Sequence, residues 1–111
     1  MDHDDEARYL YVLGFSDLTV KVGQSRDVRR RIQQHRTWAR HRGLMIPELN
    51  IGLRYGSARP DERKLIRFCR ARWTPLAGYR EFFVGADFDE VDRYFMDLER
   101  AASAAGYVVG D

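Results

Sequence analysis

Two short runs near the start of the chain alternate from residue to residue: 9–14 exchanges aromatic and aliphatic side chains with no breaker, and 18–23 alternates again. A period of two is that of a strand, so the runs predict a β-hairpin turned at Ser16-Asp17. The period then lengthens. Ser25 and Asp27 offer N-cap oxygens, and Val28, Ile32, His35 and Ala39 trace a narrow apolar stripe at helical spacing. Leu49, Ile51, Leu53 and Tyr55 alternate again, which predicts a third strand within residues 47–56. Glu62, Leu65, Ile66, Cys69 and Trp73 fall on one helical face, so a second helix is expected from Ser57 or Pro60 to about Trp73, ended by a loop containing Pro75 and Gly78. Asp87 stands three residues before Glu90 as in a capping box. Phe88, Val91, Phe95, Leu98 and Ala102 then share the apolar face of a helix reaching about Ala105.

These elements predict an α+β fold, a small three-stranded antiparallel sheet flanked by helices on both faces. Residues 1–8 read as an acidic N-terminal extension, 9–105 as a single domain, and 106–111 as a tail, either disordered or an added edge strand. A chain of 111 residues and 13.0 kDa, 44% hydrophobic and 13% aromatic, supports one modest core. The single Cys69 has no partner for an internal disulfide, and its apolar neighbours predict a buried, inert thiol in a reducing compartment. No apolar run approaches the length of a membrane span, and the acidic start at residues 2–6 is the reverse of a signal peptide's basic region, so a cytoplasmic location is expected.

Charge changes the picture more than composition does. The net +2 is the sum of −4 over residues 1–17, +12 over residues 18–80 and −6 over residues 81–111. The middle segment is cationic almost entirely through arginine, including Arg26, Arg29, Arg30, Arg31, Arg36, Arg40 and Arg42 along one helix. Planar guanidinium groups suit phosphate contact and counterion release, so a nucleic acid is the expected partner, with Arg26, Arg29, Arg30, Arg36 and Arg40 as contacts to its backbone.

The two strands and the first helix also bring Tyr11, Lys21, Arg31 and His35 within reach of one phosphate, Arg31 and His35 being four apart and so on one helical face. Each has an ordinary structural role open to it: cross-strand packing for Tyr11, a strand-face charge for Lys21, a partly buried helix position for His35.

It is the ordered set that resembles a known family. Tyr11-Val12-Leu13 and Lys21-Val22-Gly23 resemble the two motifs of GIY-YIG nuclease domains, Arg31 and His35 fall at the family's helical Arg and the His one turn later, and Arg80-Glu81-Phe82-Phe83 is similar to the metal-site string of the phage-type branch. The chain departs from the pattern in having Lys21 where Tyr is commonest, Tyr9-Leu10 in place of a Gly before the first motif, and Ile66 where Glu62-Arg63-Lys64-Leu65 would lead into a His.

The resemblance implies a divalent-metal-dependent DNA endonuclease in which Glu81 holds one Mg²⁺ or Mn²⁺ and Arg31 binds the scissile phosphate. Tyr11 orients or deprotonates the water, with Lys21 lowering the Tyr11 pKa, and His35 donates to phosphate or assists at the leaving group. The expected partner is DNA, RNA being compatible too. Base selection would fall to loops, a homodimer or a separate specificity subunit, because no zinc finger or helix-turn-helix pattern is present. Two other readings stand beside it: a catalytically inactive nucleic-acid-binding or regulatory module on the same fold, and a protein-interaction domain that docks through its acidic C-terminal helix.

Overall fold

The computed structural model describes residues 7–56 and 58–109. The acidic stretch 2–6, the proposed helix start at Ser57 and the last two tail residues lie outside the described residues. Eight elements follow in chain order: β1 Arg8–Gly14, β2 Val20–Ser25, α1 Val28–His41, β3 Glu48–Tyr55, α2 Ala58–Arg70, β4 Thr74–Leu76, β5 Tyr79–Val84 and α3 Phe88–Ala104. The fold is α+β, and the sheet is antiparallel throughout with the order β3-β1-β2-β5-β4.

Five strands form where the sequence predicts three. The loop expected around Pro75 and Gly78 is an edge hairpin: Leu76 pairs with Tyr79, and Gly78 takes the left-handed backbone, φ 81°, that a two-residue turn demands. Pro75 sits in β4 at the sheet's edge, the place in a sheet where a proline is tolerated. Three residues including a proline carry no readable period, which is why β4 escaped the pattern.

The β1–β2 hairpin turns as the alternation predicts. Phe15 N–H donates to Thr19 O at 2.8 Å, and Asp17 Oδ1 accepts from Thr19 N–H at 3.0 Å. The helix starts hold too: Asp27 accepts from Arg30 N–H at the head of α1, and Asp87 from Asp89 and Glu90 N–H at the head of α3.

Strand β1 lies inside the sheet, between β3 and β2, and feeds a core on each face. Leu10 and Val12 join Val20, Val22, Phe83, Leu65, Cys69, Val91 and Phe95 in the larger core under α2 and α3. Tyr11, Leu13 and Phe15 join Ile32, Ala39 and Phe82 in a smaller core under α1. Cys69 is buried, and burial pushes its thiol up to about 12, so it is inert as expected. In β3 the register slips between Tyr9 and Tyr11 of its partner strand. This bulge turns Tyr55 into the larger core and leaves Leu49, Ile51 and Leu53 exposed. Among the described residues the tail adds a bridge from Val108 to Tyr55. No helix among the described residues is long and apolar enough to cross a membrane.

Candidate active site

Cross-strand register decides which motif residues meet. In the β1–β2 ladder Tyr11 stands opposite Gly23, and Leu13 opposite Lys21. The hydroxyl end of the Tyr11 ring lies against Gly23: a Cβ there would run into the phenol, so no larger residue fits beside it. From α1, one turn past Arg31, His35 reaches down to the same ring. Its Nε2 shares a 2.9 Å hydrogen bond with the Tyr11 hydroxyl, the rings lying 5.7 Å apart.

Strand β5 supplies the other half. Its pairing with β2 covers only Val20 with Phe83 and Lys21 with Phe82, and beyond that the two strands part. At this opening the Lys21 ammonium forms an ion pair with the Glu81 carboxylate and lies 5.0 Å from the centroid of the Phe82 ring. Phe82 also stands 6.1 Å from His35, so it is the apolar floor between the two polar pairs.

Burial sets the protonation of these groups. It raises the Tyr11 phenol well above the ordinary value of 10, against the opposing pull of the Arg31 charge. It also lowers His35 to about 4, helped by the Lys21 and Arg31 charges, so the imidazole is neutral near pH 7. In its Nδ1–H tautomer, Nε2 accepts from the phenol. The expectation that Lys21 lowers the Tyr11 pKa is therefore corrected. The register places Lys21 opposite Leu13 instead of Tyr11, Glu81 holds its ammonium, and desolvation dominates a phenol only 1% exposed.

One group was not singled out as a site residue. Glu62, half-buried on α2, is pushed up to about 7 by burial and then by the Glu81 charge, with Lys21, Arg63 and Arg8 opposing. It is a second carboxylate at the same opening. Its sequence signal was available: Glu62 occupies the apolar face that Leu65, Ile66 and Cys69 define, where an unpaired acid is out of place.

Tyr11, Lys21 and His35 thus gather on the α1 side of the sheet, Glu81 meets Lys21 where β2 and β5 part, and Arg31 is exposed beside them and close enough to act on both Tyr11 and His35. Arg29, Arg30, Arg36 and Arg40 are exposed along α1. Arg26, between β2 and α1, lies near the start of β1, where burial and then the charges of Arg59 and Arg26 lower the pKa of Arg8. Among the described residues no three His, Cys, Asp or Glu side chains gather closely enough to enclose a metal ion. Glu81, partly exposed and facing Glu62, nevertheless suits a hard cation that keeps most of its ligands as water or substrate oxygen.

No protein-family model, curated protein or solved structure matches the chain, so the reading of its function rests on the residues themselves.

Proposed function

We propose that this chain is a divalent-metal-dependent endonuclease of the GIY-YIG kind that hydrolyses DNA phosphodiester bonds. The observation that carries the reading is convergence. Side chains as far apart in sequence as Tyr11 and Glu81 gather at one opening of the sheet, beside a helix whose exposed residues include Arg29, Arg30, Arg36 and Arg40.

Arg31, exposed on α1, binds a phosphate oxygen and neutralises charge that grows toward the transition state. Glu81, with Glu62 at its side, would hold Mg²⁺ or Mn²⁺, which when bound supplies a Lewis acid at the phosphate and a more acidic water. Lys21, the counter-ion of Glu81 in this structure, then turns its charge toward the substrate. Tyr11 orients the attacking water through its hydroxyl. Neutral His35 fixes that hydroxyl and takes up its proton as the water is deprotonated.

Incubation of supercoiled plasmid with wild type and Glu81→Gln, with and without Mn²⁺, tests the proposal. Wild type is expected to nick only with metal. Glu81→Gln should fold and bind DNA but cleave at least about a hundred-fold more slowly, the scale of losing one charge-stabilising group at an active site. Equal cleavage by the two ends the assignment. A second reading, a binding module without turnover, draws on the burial of Tyr11, whose phenol is already engaged by His35. It predicts salt-sensitive DNA binding with no metal-dependent nicking by either protein.

A further inference from the structure

Beyond Phe82 the α1 side of the sheet continues as a group of rings that the cleavage chemistry does not use. Trp38 of α1 stands 4.9 Å from Phe82 and 5.9 Å from Tyr79, centroid to centroid, and Tyr79 stands 5.5 Å from Phe82. Trp38 is half-buried and Tyr79 exposed, so the outer rings reach solvent while Phe82 ties them to Lys21.

Over this group lies a cation. Arg42, the C-cap of α1, places its guanidinium 4.1 Å from the Trp38 centroid and donates to the Tyr79 hydroxyl at 3.3 Å. Among the described residues no carboxylate pairs with it. A planar cation stacked on an indole, exposed and without a counter-ion, holds a place that another flat group can take.

We propose that Trp38, Tyr79 and Arg42 form a stacking site for one unpaired nucleobase, next to the phosphate bound at the Lys21–Glu81 opening. This rests on the nucleic-acid reading above and narrows its substrate class. The base slides over Trp38 and against Tyr79, and Arg42 swings from the ring to a flanking phosphate, so the positive charge moves from an aromatic face to an anion. Bases inside a duplex are stacked on one another and cannot reach such a site, so the favoured substrate carries a single strand, a flap or a flipped nucleotide there. A small free cation, the other usual guest of aromatic rings, is disfavoured by Arg36, Arg40 and Arg42 on the same helix.

The test is a binding measurement without metal. The chain has two tryptophans, so Trp73→Phe leaves Trp38 as the sole indole. That protein is titrated in EDTA with a short single-stranded oligonucleotide, its abasic counterpart and the matching duplex. The single strand should quench Trp38 fluorescence, whereas the abasic strand and the duplex should bind without quenching. Tyr79→Ser should weaken single-strand binding roughly five- to hundred-fold, and Tyr79→Phe, which keeps the ring, should bind nearly as wild type.

Equal quenching by abasic and intact strands overturns the inference, as does an equal loss of duplex and single-strand binding in Tyr79→Ser. Displacement by tetramethylammonium but not by the oligonucleotide also overturns it and makes the rings a cation cage. Base-dependent quenching without plasmid nicking upholds the stacking site and removes only the nuclease. Metal-dependent nicking without base-dependent quenching does the reverse.

Discussion

Under α2 and α3 the sheet is sealed by two helices and a continuous apolar core from Leu10 to Ala102, whereas under α1 a single helix covers a smaller core, and the polar pairs Tyr11–His35 and Lys21–Glu81 stand at its margin. The same strand, β1, feeds both sides with alternate residues. The difference teaches a division of labour. The closed side supplies most of the stability, and this allows the open side to hold a buried phenol and a neutral histidine.

The largest effect should come from the closed side. Phe83→Ala removes a fully buried ring between β5 and the helices and is expected to cost about 3–5 kcal/mol, read as a fall in the urea midpoint. An equal cost from Trp38→Ala, on the open side, would erase the contrast.

Next in size is a pH effect at the opening, which His35 reaches from α1 and Glu62 from α2. His35 is held near 4 against an ordinary 6.5, so between these values the unfolded chain binds a proton that the folded chain refuses. Its contribution is intact above pH 6.5, declines as pH falls toward 4 and is flat below. Glu62, raised to about 7 from 4.5, has the opposite sign: the folded chain keeps a proton that the unfolded chain releases, so its contribution grows as pH falls from 7 to 4.5. The two oppose each other over nearly the same window. In EDTA, His35→Gln should therefore make the protein gain stability on acidification relative to wild type, and Glu62→Gln should make it lose stability. Each change should be on the order of 1–2 kcal/mol after solvent screening. Slopes of the same sign would break the assignment.

The smallest effect separates the two surfaces by charge. Arg36→Ala on α1 should lower the log–log salt slope of DNA binding by about one unit. Arg93→Ala on α3 should leave it unchanged. Equal slopes would return Arg36 to an ordinary solvated position.

The hairpin, α1, α2 and α3 were legible because each carries a period over six or more residues or a capping oxygen, and Asp27 and Asp87 cap as expected. β4 was not legible, being three residues long and containing Pro75. Of the candidate site, the positions were readable and the partnerships were not. Lys21 and Glu81 are 60 residues apart, and only the parting of β2 from β5 brings them together. The same limit explains why Lys21 was expected beside Tyr11. Spacing along a hairpin places residues near one another, while register decides which face across the ladder, and here Gly23 holds the place opposite Tyr11.

The placement of charge also has a colloidal consequence. A helix studded with arginine covers one face of the sheet; on the other, α3 bears Asp89, Glu90, Asp92, Asp97 and Glu99 beside an α2 that carries Arg59, Arg63, Lys64, Arg67 and Arg70, so the acidic pole is the single helix α3, in a protein of net charge only +2. Such a particle is a dipole more than an ion. In dilute buffer its copies attract pole to pole, and added salt screens that attraction as surely as it screens attraction to a polyanion. The protein should salt in, becoming more soluble over the same range of ionic strength in which the proposed contacts to DNA should weaken.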